Sequence, residues 1–238
     1  MWSFIQKNKG GKAMKKVLSI LLSCCLMLFF FDIVHAQFGQ ENEADQVTAA
    51  SATGSTFDND ADGWLIVGMQ GFNWACPPFY GPTNPTWSGT GGNPGGCIIA
   101  GDVYQETLFS APTKFLGNQS ASFGKKLKFD IKITKSDSGV EYPAVVLCGA
   151  GKSLFYNAKP TTIGEWTTRT IPLNASGWKL SDWENGPTAT NEDMKEVLGS
   201  LDGLYIITEW YTGSGDLTSL DNVKITSCFI NTALYGPE

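Results

Sequence analysis

Histidine is all but missing from this chain: its 238 residues contain one, His35. That residue falls in a stretch that reads as a leader, with Lys7, Lys9, Lys12, Lys15 and Lys16, then an apolar run from Val17 to Phe31, then Val34-His35-Ala36. Charged, apolar and small-residue segments in that order mark a secretory signal peptide spanning residues 1–36, starting at Met1 or, more conventionally, at Met14. At about 15 apolar residues the run is short for a retained span, which takes roughly 20. Cys24 lies inside the run instead of after it, which argues against lipid attachment. Cleavage after Ala36 would leave no histidine, and so no Ser-His-Asp or Cys-His catalysis, no His-ligated zinc and no HExxH protease.

Positive charge is also scarce. The chain has 17 Lys and Arg against 23 Asp and Glu, a net charge of −6. Removing the leader takes five lysines and Asp32, leaving 12 basic against 22 acidic residues, or −10. Phosphate binding needs a basic surface, so the balance argues against nucleic acid. It suits neutral glycans, cations or other proteins. Cysteine is sparing as well: Cys24 and Cys25 lie in the leader, and Cys76, Cys97, Cys148 and Cys228 remain. None forms a CxxC pair, which speaks against a four-cysteine zinc site. An even number in an exported chain reads as disulfides. Of three connectivities, the expected one joins Cys76 with Cys97, closing a flexible loop, and Cys148 with Cys228, joining two strands.

What is present is β-structure. Residues 37–54 are polar, acidic and short of large apolar groups, and read as a disordered linker. A domain follows over 55–230, then a short tail at 231–238. From Lys126 to Ile133 apolar and charged residues alternate strictly, as in a half-buried antiparallel strand. Trp64–Met69, Val145–Cys148, Thr167–Leu173, Leu204–Tyr211 and Val223–Phe229 add further strands separated by turn residues, the spacing of an all-β sandwich. One short helix interrupts them. Thr190 is a plausible N-cap, Glu192 and Asp193 suit the first turn, and Met194, Val197 and Leu198 make an apolar stripe, for about three turns covering an open end of the sandwich. Ala75–Gly96, dense in Gly and Pro, reads as a long loop presenting Phe79, Tyr80 and Trp87, either to a ligand or as packing.

Asp58, Asp60, Asp62 and Gly63 match the first half of a D-x-D-x-D-G calcium loop, but position twelve falls on Met69 and a strand follows, so this is no EF-hand. Glu209 beside Trp210 and Asp102 beside Tyr104 are the only carboxylates suggestive of glycosidase chemistry. Each is more simply a polar residue on the outer face of a strand, and the protein is expected not to be an enzyme.

Gly91-Gly92-Asn93-Pro94-Gly95-Gly96-Cys97-Ile98, Phe109-Ser110-Ala111-Pro112-Thr113-Lys114-Phe115-Leu116-Gly117-Asn118-Gln119, the closing Leu220-Asp221-Asn222-Val223, and the opening Phe57-Asp58 with Gly63-Trp64 together resemble the laminin B domain, or laminin IV type A domain. The likeness covers roughly residues 55 to 226, and it departs at Cys97, where an aromatic is expected. It implies a jelly-roll-like antiparallel β-sandwich, similar to galactose-binding and carbohydrate-binding modules, with no catalytic machinery. The leader and short chain have a bacterial look. Similar jelly-roll modules pair an opening acidic segment with a closing Asp around a structural calcium. Asp221 fits that position, because its parity with Val223 and Ile225 turns it inward, where an unpaired carboxylate is costly. A Ca2+ clasp of Asp58, Asp60, Asp62 and Asp221 is therefore expected, against simple Asx-turn roles.

The function expected from these readings is a secreted or cell-surface, non-catalytic binding module, with a periplasmic location allowed and no membrane span after cleavage. It would recognise glycans through Phe79, Tyr80 and Trp87 on a disulfide-closed loop. The alternative is a structural or adhesive domain meeting extracellular proteins.

Overall fold

The structure is a computed structural model that describes residues 53–69, 76, 80–139 and 141–226. The leader, nearly all of the linker, Phe79, Cys228 and the tail lie outside the described residues. In chain order the strands are β1 (Gly54–Ser55), β2 (Leu65–Met69), β3 (Tyr80–Thr83), β4 (Thr86–Ser88), β5 (Cys97–Ala100), β6 (Glu106–Ser110) and β7 (Lys126–Ile133). Then come β8 (Val145–Gly149), β9 (Lys152–Tyr156), β10 (Thr167–Pro172), β11 (Trp178–Leu180), helix α1 (Asn191–Gly199), β12 (Leu201–Ile207) and β13 (Thr218–Thr226).

They form two antiparallel sheets. Sheet A runs β10-β7-β13-β5-β4, with β1 also on β13, and sheet B runs β11-β9-β8-β12-β6-β2-β3. The alternating strand of the sequence, β7, lies inside sheet A between β10 and β13. Its Leu127, Phe129, Ile131 and Ile133 are each 1% exposed and face sheet B, where they join a core that includes Trp64, Phe109, Phe115 and Trp178. In sheet B all five residues of β8 are buried, so that strand is covered on both sides.

The stretch 75–96 is not one loop. It supplies β3 to the edge of sheet B and β4 to the edge of sheet A, and Pro82 is accommodated in β3 because an edge strand need not donate on both sides.

The cysteines also pair otherwise than expected. Cys76 is bonded to Cys148, with Cα atoms 5.6 Å apart and a separation of 72 positions in sequence, while Cys97 is a buried free thiol. The reason is topological. Cys97 belongs to sheet A, whereas the Cys76 amide donates to Ser153 Oγ at 3.2 Å, and Ser153 is the register partner of Cys148 in sheet B. Burial pushes the Cys97 thiol up, as expected of an inert structural cysteine.

Helix α1 begins as its sequence suggests. Thr190 and Asp193 form a capping box: the Asp193 amide donates to Thr190 Oγ1 at 3.1 Å and the Thr190 amide donates to Asp193 Oδ2 at 2.9 Å. Met194, Val197 and Leu198 are buried, and the helix packs beside the β8–β9 hairpin, where Lys152 pairs with Asp193 at 2.6 Å.

Two expectations follow. The hydrogen bond from Lys152, followed by those from the Thr190 hydroxyl and amide, holds the Asp193 carboxyl at about 2, below its ordinary 3.8. A depressed folded pKa contributes stability above pH 3.8 that is lost as pH falls through 2, so in acid denaturation Asp193→Asn should flatten that limb. Thr190→Ala should cost about 1 kcal/mol in chemical unfolding. For the disulfide, non-reducing peptide mapping should recover Cys76 linked to Cys148, with Cys97 alkylated only after unfolding. Because the bridge closes a long loop, Cys148→Ala should cost about 2–4 kcal/mol by denaturant midpoint.

Candidate functional site

The Gly-rich turn at 89–96 packs over the start of β5 and the middle of β13, and the first candidate site is built there. In β13, Leu220 pairs with Ile131 and Asp221 with Asp130, after which the register shifts so that Lys224 pairs with Lys128. Asn222 and Val223 together oppose Phe129 alone. This is a β-bulge, with Asn222 at φ 51. It overturns the parity expected from sequence: Val223 enters the core, while Asp221 joins Asp130 on the outer face of sheet A.

Asp221 is nevertheless fully buried, because the Gly-rich turn covers it. Its carboxylate accepts from the amides of Asn93 and Asn222, each at 2.6 Å. Burial outweighs these bonds, and with Asp130 and Asp58 nearby the Asp221 carboxyl is raised above its ordinary range. Asp130 accepts from Thr168 Oγ1 at 2.6 Å, Asn222 Nδ2 at 2.9 Å and Asn93 Nδ2 at 3.2 Å.

Of the four expected calcium ligands, Asp58 and Asp221 come to this turn and two do not. Asp60 Oδ1 closes an Asx turn by accepting from the Asp62 amide at 2.6 Å, and Asp62 pairs with Lys114. Among the described residues the four carboxylates do not gather within ligand distance of one another, because the Asp62 amide and Lys114 engage Asp60 and Asp62 instead.

The expected aromatic site is likewise divided. Tyr80 lies on the edge of sheet B, stacked on Tyr104 with centroids 6.3 Å apart. Trp87 lies on the edge of sheet A, 41% exposed, and its indole N–H donates to the Phe57 carbonyl at 2.7 Å.

Beside the Asp130 knot the outer face of sheet A opens into a cleft of about 330 Å³ lined by Asn93, Lys128, Phe129, Asp130, Thr168, Asn222 and Lys224. Thr168 sits opposite Asp130, and Thr170 opposite Lys128. Two residues before Thr168, Trp166 continues the row, its indole N–H on the Gly91 carbonyl at 3.1 Å and the Lys132 ammonium 4.9 Å from its ring centroid. Among the described residues neither Lys128 nor Lys224 is in an ion pair. Sequence reading saw β7's lysines only as a solvated face; the neighbours that turn them into a cleft come from strands far apart in the chain.

A third feature lies at the other end of β5. Asp102 follows β5, Glu106 opens β6, Glu209 follows β12 and Asp216 precedes β13. Asp102, Glu209 and Asp216 each bring an oxygen within 4.8 Å of the others. The reading of Glu209 and Asp102 as polar residues on outer strand faces is corrected: β12 ends at Ile207, both residues lie in crossover loops, and Glu209 is only 7% exposed. Burial, then Asp216, Asp102 and Glu106, push the Glu209 carboxyl up to about 8, and burial and Asp102 also raise Asp216.

A family described as Laminin B (Domain IV) matches residues 108–233, more than half of the chain. The chain belongs to the laminin B family. Among curated relatives, laminin subunit gamma-2 of Homo sapiens is 28% identical over 178 residues, covering 73% of this chain and 13% of that protein. Laminin subunit gamma-1 of Danio rerio is 27% identical over 185 residues, covering 77% of this chain and 10% of that protein. This chain therefore corresponds to a small part of each relative. Among solved structures, the L4b domain of human laminin alpha-2 superposes with a TM-score of 0.53 at 16% identity, covering 74% of this chain and 98% of that domain. The laminin B sandwich is thus common to both.

The turn is where the Phe57-Asp58 and Asp221-Asn222 segments meet, and it is tightly built. A Cβ at Gly96 would overlap the Phe57 carbonyl, and Gly95, at φ 93, lies against the Asp58 carboxylate. Gly96→Ala should therefore cost about 2 kcal/mol or more in thermal or chemical unfolding, whereas Gly139→Ala, which meets nothing, should be near neutral.

Proposed function

We propose that this laminin B domain is a non-catalytic extracellular binding module whose ligand is an acidic polysaccharide held on the outer face of sheet A. The observation that carries the reading is the cleft in which Lys128 and Lys224, without acidic partners, stand beside the amides of Asn93 and Asn222 and the hydroxyl of Thr168. Paired lysines attract uronate or sulfate groups, amide and hydroxyl groups bond sugar hydroxyls, and Trp166 at the end of the row offers an aromatic surface. The cleft sets Lys128 and Lys224 against one carboxylate, Asp130, on a chain whose net charge is −6. It replaces the expected aromatic loop as the recognition surface.

A non-catalytic role is supported by membership of the laminin B family. An extracellular location is supported by the leader and by the laminin relatives. Among the described residues no helix is long and apolar enough to cross a membrane. Calcium at Asp58 and Asp221 belongs to the same reading as a structural ion at the Gly-rich turn. An adhesive role is favoured by one observation: β3 is an edge strand with all four residues exposed, open to strand addition by another protein.

Glycan-array binding of the purified protein tests the reading. Acidic polysaccharides should bind in preference to neutral ones, weakening as salt rises. Lys128→Ala with Lys224→Ala should reduce binding at least tenfold, and Trp166→Ala severalfold, while Trp87→Ala should leave it unchanged. Binding of no sugar, or equal binding by the lysine variant, would discard this face as a glycan site.

A further inference from the structure

The second carboxylate cluster belongs to neither the glycan face nor the Asp58–Asp221 turn. We propose that Asp102, Glu209 and Asp216, with Glu106 as a neighbouring fourth carboxylate, form a site for a hard divalent cation, calcium above all. The site would tie the two sheets together where the chain crosses from β5 to β6 and from β12 to β13.

The donors are all oxygens, the set that hard cations take. Calcium–oxygen bonds of about 2.3–2.6 Å place opposite ligands at most about 5 Å apart, so three oxygens within 4.8 Å of one another can all touch one ion. The independent observation is unmet bonding. Asp216 is 3% exposed and Glu106 1% exposed, yet Asp216 Oδ1 and Glu106 Oε2 have no hydrogen-bond partner. A buried carboxylate oxygen without a donor carries its full desolvation cost, and a row of like charges adds repulsion. A bound cation removes both.

Of the groups that flank the cluster, Lys135 is engaged elsewhere and the Gly215 amide serves Asp102, so neither reaches Asp216 Oδ1 or Glu106 Oε2. Lys135 donates to the Ser214 carbonyl at 2.8 Å and lies 4.9 Å from the Tyr211 ring centroid. The Gly215 amide donates to Asp102, fixing the loop that carries Asp216. Burial, then Glu106 and Glu209, raise the Tyr142 phenol, which therefore lies in the field of these carboxylates. The competing account is a proton shared between Asp216 and Asp102, whose carboxyl groups lie within hydrogen-bonding reach, with no ion.

The placement gives the ion a structural role. β5 and β13 belong to sheet A and β6 and β12 to sheet B, so one ion bound by Asp102, Glu209 and Asp216 would clamp both crossovers.

The test is made on the purified protein carrying Asp58→Asn, which removes the Gly-rich turn as a source of calcium response. After stripping with chelator, calcium at about a hundred times its dissociation constant should raise the melting midpoint by about 5 °C or more. Terbium, as a luminescent calcium substitute, should bind at one site per chain and be displaced by calcium. Adding Asp216→Asn should abolish both responses, yet in chelator this variant should melt no lower than its parent, because a buried like charge has been removed. Glu209→Gln in the otherwise native chain provides the second variant and should weaken terbium binding at least tenfold. No calcium or terbium response in the Asp58→Asn protein, or a response that survives Asp216→Asn, overturns the proposal in favour of the shared proton.

Discussion

The bulge in β13 decides which chemistry sheet A shows to solvent. β13 lies between β7 and β5 and also holds β1, so its register sets those of three other strands. Two residues, Asn222 and Val223, stand opposite Phe129 alone, and inward and outward faces exchange across that step. Val223 fills the core while Asp221 is turned outward against Asp130. Two adjacent carboxylates on a sheet surface repel each other, and the Asn93 and Asn222 amides and the Gly-rich turn over them are the structural answer. The cleft beside Lys128 and Lys224 is a by-product of that answer: the turn that covers Asp221 raises one wall, and β7 and β10 provide the floor.

Charge is therefore distributed unevenly. Carboxylates gather at two places, one at each end of β5, while lysines of β7 and β13 line the cleft. At the Gly-rich turn backbone and side-chain amides meet the carboxylate oxygens, so that group is nearly satisfied within the protein. At the crossover end one oxygen of each of two buried carboxylates, Asp216 Oδ1 and Glu106 Oε2, is left without a donor. The same residue type at comparable burial thus occupies two different chemical situations, separated by whether a turn supplies N–H groups.

Most of the sandwich was legible in the chain. The β7 alternation, the β8 and β10 runs and the Thr190 cap of α1 carry their periods and caps locally, and each forms where those signals stand. The short strands β1, β3, β4, β5, β6, β9 and β11 escape the sequence pattern because two to five residues hold too little periodicity, and Gly and Pro at a sheet edge look the same as in a loop. The disulfide was misassigned because sequence shows how far apart cysteines are along the chain and not which sheet receives them. The two candidate sites were least legible. Along the chain Glu209 and Asp102 read as surface residues and Asp216 belongs to no motif, since 114 positions separate it from its partner Asp102.

By itself the amino-acid sequence determined the all-β class, the main strands, the capped helix and the laminin B resemblance, because alternation, capping and turn chemistry act between residues a few positions apart. The tertiary structure alone decided that Cys76 meets Cys148, that Asp60 and Asp62 leave the expected clasp, that Asp221 turns outward, and that Asp102, Glu209 and Asp216 converge. Those outcomes depend on strand order, on a one-residue register step and on loops crossing between sheets. They are properties of how distant segments pack, and no local pattern encodes them.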